Sequence, residues 1–497
     1  MTTSRDYTGA AADRSAAASS ATQNTVEAVG PGRSRRLLSR ITRSDVVIPG
    51  IAFLILAPLY STLSVLGQYQ LRTSGFDLGI FVQQIASYSQ LRAPTSDLLG
   101  TGYNTLGDHF SPITALLAPV YRLFPAPETL LIAQGVLFAV GVVPLSRWAL
   151  RSLGVWAAVV VAVGYGLSWG LQSALNFDFH EIAFAVPLLA FAMSALGQGR
   201  WHSALAWSLP LVFVKEDMGL TVVVIGALTA WWTTGRTRLL GLLTAAWGAA
   251  WIILAVTVIV PMLSPDSEYD QGSKLPPLAE GIADTTHGLV SGDSRAAVIL
   301  LLLAITGFAA LRSPLTLVAA PTVAWRFLSD NTNFWKPIFH YNAILMPILF
   351  AALIDALVRG RRDMHLSPRA ERVILGSVVA VALIALPFQP LARLAHPDGW
   401  RTAPQVVTAR EISEAIPPGE RVAASNNLVA QLVADHPVTV FPQRSSDSTV
   451  PDWIVVNTGR PPGWPKDSAG DNTAISAALS DGYLVVSDVG GILVLRK

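Results

Sequence analysis

Charge in this chain is sorted by which end of an apolar run it occupies. When the runs are threaded through a bilayer, the arginine clusters fall at one set of run ends. Phe76-Asp77, Asp108-His109, Asp178-Phe179-His180-Glu181 and Lys215-Glu216-Asp217 fall at the other. Charge is expensive at membrane depth and usually functional where it is kept, so four acid-containing clusters on one face read as a site. Several runs reach the roughly 20 apolar residues that cross a bilayer. Only helices and closed barrels satisfy their backbone in lipid, and the runs lack the alternation of barrel strands. The expectation is an all-α polytopic membrane protein. Its charged fraction, 14% of 497 residues, lies well below the roughly 25% of soluble domains. The chain has no cysteine, which excludes disulfides, thiolate metal sites and cysteine nucleophiles. The net charge of +2 says less than the asymmetry, and no nucleic-acid partner is expected.

About eleven spans are predicted, near 46–66, 127–147, 154–172, 182–197, 202–214, 218–234, 238–260, 295–311, 314–328, 341–357 and 373–388. Residues 1–44 read as a disordered cytoplasmic tail ending in Arg33, Arg35, Arg36, Arg40 and Arg43. With that end inside, the short inner loops hold Arg147, Arg151, Arg200, Arg236, Arg238, Arg312, Arg359, Arg361, Arg362, Arg369 and Arg372. The short outer loops after the first hold only Lys215, Lys274, Arg295 and Lys336, which follows the positive-inside rule of a multi-pass plasma-membrane protein. Residues 201–234 as one helix would be about 50 Å long at about 1.5 Å per residue, too long for about 30 Å of hydrocarbon. Two short helices meeting at Lys215-Glu216-Asp217 fit better. The membrane domain, 45–390, then has a long first outer loop, about 67–126. That loop contains an amphipathic helix, Phe76–Gln90, and an apolar piece, Ser111–Phe124, that lies along the interface or re-enters. Residues 391–497 read as a small extracytoplasmic α/β domain. Its expected strands are Arg421–Ala424, Val438–Phe441, Trp453–Asn457, Tyr483–Ser487 and Ile492–Leu495, and its expected helices are Val406–Ala415, Leu428–Ala434 and Asn472–Leu479. With no G-x-G-x-x-G, P-loop or paired metal ligands, its expected work is structural or recognition.

Each cluster admits a plain and a chemical reading. Asp77 is either a helix N-terminal acid or a general base for an acceptor hydroxyl. Asp108 can cap the helix that Pro112 starts, or act with His109 in catalysis; His109 can orient substrate, bind a metal or contact phosphate. Asp178, His180 and Glu181 hold enough ligands for a divalent metal, Mg or Mn, if Asp77 or Asp217 joins them, but no ligand spacing specific to a metal is present. Lys215, Glu216 and Asp217 form either an internally paired ion cluster or a site where the lysine binds an anionic phosphate and an acid orients it. Lys336, His340 and Tyr341 would face the same surface among ordinary interface aromatics, and Arg326 could join a phosphate cradle.

The order Phe76-Asp77-Leu78-Gly79-x-Phe81, Gly107-Asp108-His109-Phe110-Ser111-Pro112, Phe179-His180-Glu181, Lys215-Glu216-Asp217 and His340-Tyr341 resembles a family of predicted membrane proteins, domain of unknown function 2079, over about 46–460. That family is grouped with the GT-C glycosyltransferases, which move sugars from polyprenyl-phosphate carriers to acceptors outside the cytoplasm. The resemblance implies a GT-C-like helical core with Asp77 as the catalytic acid, placed just after the first span. It assigns Asp178, His180, Lys215, Glu216 and Asp217 to a donor or metal site. Together with the residue reading, the donor phosphate is expected at Lys215, Arg326, Lys336 and His340, and metal-binding or orienting roles at Asp178, His180, Glu181, Glu216 and Asp217. The chain departs from the better-known mannosyltransferase pattern, having Asp77-Leu78 for an Asp-Glu pair and His109-Phe110-Ser111-Pro112 for His-Pro-Pro. The expected partners are membrane lipid, a polyprenyl-phosphate sugar and a glycan, lipid or protein acceptor, and the expected reaction is inverting. A transporter or flippase is the alternative, but transporters bind near the midplane and commonly carry internal repeats, and neither sign is present here.

Overall fold

Long apolar runs satisfy their backbone locally, and the chain is accordingly mostly helical. The computed structural model describes residues 43–265, 274–442, 449–459 and 468–497. Most of the expected N-terminal tail, residues 1–42, lies outside the described residues. Among those described, six helices are long and apolar enough to cross a membrane: Asp45–Tyr69, Pro127–Leu153, Val155–Phe177, Gly235–Leu263, His340–Arg362 and Pro368–Phe388. Three further predicted spans are short apolar helices, Ile182–Gly197, Met218–Trp232 and Pro314–Leu328. The stretch predicted near 295–311 is shorter, Ser294–Ala304, and is bent 70° from Leu278–Ser291. The stretch predicted at 202–214 is a helix, Trp201–Ser208, continued by a 3-10 turn, Leu209–Phe213.

Close packing fixes the ends that matter. Met218–Trp232 and Gly235–Leu254 form a hairpin in which Gly226 and Gly241 let the two backbones meet; a Cβ on either would come within 2.6 or 2.7 Å of the facing main chain. This hairpin starts at Lys215-Glu216-Asp217, which sit in the non-helical break after Phe213, so the 201–234 stretch is indeed two helices meeting at the charged triplet.

Arg147, Arg151, Arg200 and Arg361 gather at one end of the bundle. Arg361 donates to the carbonyls of Ser152 (3.3 Å) and Leu153 (3.1 Å), bringing two helix ends together, and Arg200 feels the charges of Arg147 and Arg151. At the opposite end the chain leaves Asp45–Tyr69 for a five-residue π turn, Gly75–Gly79, and the helix Ile80–Ser89. The expected amphipathic helix Phe76–Gln90 is thus broken near its start, because Phe76 is not helical (φ −99°, ψ 93°). The apolar piece Ser111–Phe124 becomes a 3-10 turn, Pro112–Leu117, and a short helix, Ala118–Leu123, which packs against Ile80–Ser89.

The C-terminal segment forms the expected five strands: β1 Val422–Ser425, β2 Val438–Phe441, β3 Trp453–Asn457, β4 Leu484–Val489 and β5 Ile492–Arg496. Their spatial order is β2-β1-β3-β5-β4, with β2, β1 and β3 parallel and β3, β5 and β4 antiparallel. The strands β1 and β3 are buried throughout, so they read as unbroken apolar runs and not as alternating ones. The helix Asn426–Leu432, which follows β1, lies between this sheet and the turn Gly75–Gly79.

Candidate active site

The turn that carries Asp77 is held from two sides. Asp178 Oδ2 accepts hydrogen bonds from Ser74 Oγ (2.9 Å), Ser74 N (3.2 Å) and Asp77 N (3.5 Å). From the other side, Phe76 N donates to Asn426 Oδ1 (3.0 Å) at the start of the helix Asn426–Leu432. Gly75 and Gly79 are the close-approach positions: a Cβ on Gly75 would lie 2.9 Å from Val429 Cβ, and one on Gly79 3.0 Å from Val429 Cγ1. Gln134 ties the Asp178 segment to a neighbouring helix, donating to Asp178 O (2.9 Å) and accepting from His180 N (3.0 Å).

Held in this way, Asp77 lines a cavity of about 490 Å³, a volume within the range of small-molecule sites. Asp108, His109, His180, Glu181, Lys215, Glu216, Asp217, Arg326, His340 and Tyr341 line it too. Met218, Leu220, Ile252 and Val256, from the glycine-packed hairpin and its continuation, also line it, so charged and apolar side chains border one space.

The charges lining the cavity are paired between distant segments. His180 Nε2 donates to Asp77 Oδ2 (3.0 Å), and its Nδ1 faces the carbonyl of Asp178 (3.3 Å). An imidazole with an oxygen at each nitrogen donates from both and is therefore cationic. Burial opposes that charge, but Asp77 and then Glu181 and Asp178 outweigh it and raise the His180 pKa. For Asp77, burial pushes upward, yet His180, Lys215 and His109 hold the carboxyl below its usual range. Asp77 remains 34% exposed in its side chain, so it stays an ionised group facing the cavity.

Lys215 Nζ bonds Glu181 Oε1 (2.9 Å) and not its sequence neighbours. Burial disfavours its charge, but Glu181, Glu216 and Asp217 raise its pKa. His109 Nδ1 pairs with Glu216 Oε1 (2.9 Å), whose Oε2 accepts from Phe110 N (3.0 Å). Burial and Lys215 act against the His109 charge, yet Asp108 and Glu216 carry its pKa up to about 9, and Glu216 falls to about 2 as the pair outweighs its burial. Asp217 Oδ2 accepts from Trp325 Nε1 (3.0 Å), and burial is the main reason its carboxyl rises to about 6.

Three cavity groups lack what their chemistry asks for, the first being Asp217, whose buried Oδ1 has no hydrogen-bond partner. Arg326 is fully buried and donates only to neutral oxygens: Phe334 O (2.7 Å), Tyr341 O (3.1 Å) and Asn342 Oδ1 (3.1 Å). Among the described residues no carboxylate lies within ion-pair distance of it. His340 stacks on His180 with ring centroids 3.5 Å apart, and neither of its buried ring nitrogens has a hydrogen-bond partner. Unsatisfied buried polar atoms in a cavity wall ask for a ligand.

Two expected site residues stand elsewhere. Lys336 is absent from the cavity wall; it is turned outward and bonds Asn333 Oδ1 (2.9 Å), because Trp335 beside it is the buried member of that turn. Asp178 is also absent from the wall, since its Oδ2 is committed to the Ser74–Asp77 turn; burial and Asp77 push its carboxyl up to about 8. Asp108 ends the turn Thr105–Gly107 and does not cap the helix that Pro112 starts. A metal-ligand cluster does not form: among the described residues no three His, Asp or Glu side chains come together to hold an ion, because His180, Glu181, Glu216 and Asp217 are each engaged by a protein partner.

Four residues that matter here escaped the sequence reading: Ser74, Gln134, Trp325 and Asn426. Only Gln134 carried a signal, as a lone amide inside the apolar run Pro127–Val140. Asn426 has none, since its role depends on contact with a segment 350 residues away.

The model of a family described as predicted membrane proteins, DUF2079, matches residues 68–494, and so spans the cavity and the C-terminal strands alike. The fold is that of ArnT from Cupriavidus metallidurans. A crystal structure of that protein bound to undecaprenyl phosphate aligns with a TM-score of 0.52 at 13% identity, covering 90% of this chain and 97% of that one. Its apo state aligns with a TM-score of 0.55 at 14% identity, with the same coverage. No curated protein matches in sequence.

Proposed function

We propose, for a chain that belongs to the DUF2079 family of predicted membrane proteins, the transfer of a sugar from a polyprenyl-phosphate donor to an envelope acceptor outside the cytoplasm. The observation that carries this reading is the cavity itself. An ionised carboxylate, an unneutralised guanidinium and apolar hairpin residues border one space. A lipid-phosphate sugar has the complementary parts. The fold likeness to ArnT, a GT-C glycosyltransferase crystallised with undecaprenyl phosphate, supports the same donor class.

In this reading the isoprenoid chain lies against Leu220, Ile252 and Val256, and the phosphate approaches Arg326. Arg326 is favoured over Lys215 because Lys215 already spends its charge on Glu181. His340, with two unsatisfied nitrogens, supplies a further polar contact. Asp77 receives the proton of the acceptor hydroxyl as its oxygen bonds to the anomeric carbon. The bond from that carbon to the phosphate oxygen breaks, and the polyprenyl phosphate leaves with the electron pair. The configuration at the anomeric carbon inverts. A phosphate needs no proton to leave, so cationic stabilisation of that oxygen matters more than a general acid. His180 keeps Asp77 oriented and ionised, and Asp178 fixes the backbone on which Asp77 sits.

The test is transfer of radiolabelled sugar from a panel of polyprenyl-phosphate sugars into membrane extracts, comparing wild type with Asp77→Asn. We expect label incorporation by wild type and a loss of about 10²–10⁴-fold in the variant, the range for removing a general base. Full activity of a folded Asp77→Asn protein would remove Asp77 from this role. Flux of a lipid-linked sugar across reconstituted vesicles, with no product formed, would favour a transporter instead.

A further inference from the structure

A second cavity, of about 360 Å³, opens at the same end of the molecule and is bordered by Arg72, Asn176, Phe388, Arg393 and His396. Asn176 is the residue before Phe177, which lines the Asp77 cavity, so the two spaces flank one segment. The cations of the second cavity meet only neutral acceptors. Arg72 Nε donates to Gln70 Oε1 (3.1 Å), Arg393 Nε donates to Pro390 O (3.2 Å), and Arg393 Nη2 donates to Asn176 Oδ1. Among the described residues no carboxylate forms an ion pair with either arginine. Arg393 is half-buried, and burial followed by the charge of Arg72 lowers its pKa to about 10. Two guanidiniums that repel each other across one cavity are relieved by an anion, and the planar fork of arginine suits a phosphate.

The positive-inside bias does not account for this pair, because it sits at the Asp77 end and not with the arginines around Leu153 and Arg361. Its neighbours are apolar. Phe388, 84% exposed, ends the spanning helix Pro368–Phe388 and lines the cavity, and Leu383 and Ile384 below it are exposed on the same helix. Cations at the end of an exposed apolar helix match an amphiphile with its phosphate on the arginines and its chain along the helix.

We infer that Arg72 and Arg393, with His396 at the rim, form a binding site for a phosphate group, carried by an anionic lipid headgroup and separate from the Asp77 cavity.

The site is testable without any catalytic assay. The full-length protein in neutral detergent is titrated by native mass spectrometry with dioleoyl phosphatidic acid, with inorganic phosphate, and with dioleoylglycerol as the uncharged control. Wild type should bind phosphatidic acid at least about ten-fold more tightly than the Arg72→Gln/Arg393→Gln variant, the scale of one lost charge-assisted contact. Because Arg393 is half-buried, exposed Arg72 is also changed alone; Arg72→Gln should weaken binding in the same direction with the fold intact. Asp77→Asn should bind as wild type does. Competition by inorganic phosphate at matched concentrations would support the site while making free phosphate its ligand. Equal binding of phosphatidic acid by wild type and both variants, equal binding of dioleoylglycerol, or no binding of either phosphate probe would overturn it.

Discussion

The two ends of the helical domain hold charge in opposite ways. At the Asp77 end, each ion pair has at least one buried member and joins residues far apart in sequence: His180 with Asp77, Lys215 with Glu181, His109 with Glu216. At the arginine end most pairs are local and wet, such as Arg362 with Asp363 and Arg361 with Glu371, although Arg359 reaches a buried acid, Asp355, at 2.8 Å. Buried charges pay a desolvation penalty that their attraction need not recover, whereas surface pairs cost and gain little. The first end therefore sacrifices stability for a prearranged polar wall, and the second holds pairs that cost and gain little. If that contrast is real, single substitutions at the two ends should differ several-fold in effect.

The largest structural effect should come from Lys215→Met. It leaves the Glu181 carboxylate buried with its cation gone, and breaking such a pair costs about 3–5 kcal/mol. Chemical unfolding of the purified protein measures it. A cost below 1 kcal/mol would show that Glu181 finds another partner or takes up a proton, and that the wall is less rigid than its pairing implies.

Asn426→Ala should act next, and on activity more than on stability. It removes the acceptor used by Phe76 N, a net loss of about 1 kcal/mol, from the turn that aims Asp77. The expected result is a fall in kcat with KM nearly unchanged, since no donor-contacting side chain is altered. A change in KM alone would mean that the C-terminal domain serves substrate binding and not the aim of Asp77.

The pH dependence sharpens the same contrast. His109 has its pKa raised from 6.5 to about 9, so its contribution is full below 6.5 and is lost as pH rises through about 9. Glu216 is lowered from 4.5 to about 2, so its contribution is full above 4.5 and is lost as pH falls through about 2. From this pair alone, thermal stability of wild type should be greatest between 4.5 and 6.5 and decline on the alkaline side. Asp178, raised to about 8, adds a decline of its own as pH rises from 3.8 through about 8. In His109→Gln the alkaline decline between 6.5 and 9 should be reduced. An unchanged alkaline limb would place the titrating group elsewhere.

Much of this was legible in the sequence, for identifiable reasons. Spans and strands are written in local composition, which is why the five strands fall within a residue or two of expectation. The break at Lys215-Glu216-Asp217 is legible because three adjacent charges cannot sit inside a continuous spanning helix. Shared placement of the acid clusters follows from topology alone. Pairing is another matter: nothing in Lys215-Glu216-Asp217 says that the lysine reaches past its own neighbours to Glu181, or that Asp217 answers to Trp325. The outward turn of Lys336 and the backbone task of Asp178 are likewise set by three-dimensional crowding. Asn426 lay beyond reach because the contact joins segments 350 residues apart.

The smallest effect, and the one that completes the comparison, belongs to Arg361→Ala. Its guanidinium is 41% exposed and bonds Glu371 (2.5 and 2.6 Å) as well as the carbonyls of Ser152 and Leu153. An exposed pair is worth at most about 1 kcal/mol, and carbonyls at an exposed helix end can turn to water. The variant should unfold within about 1 kcal/mol of wild type and retain full transfer activity. By the positive-inside rule it should instead disturb orientation, since each arginine lost from that end weakens the charge bias between the two ends. Protease accessibility from the two sides of sealed vesicles reads that bias directly, and serial removal of Arg359, Arg361 and Arg362 should invert a growing fraction of molecules. A cost of several kcal/mol for Arg361→Ala alone would mean that the arginine end is also a built structural site, and the division of labour between the two ends would fall.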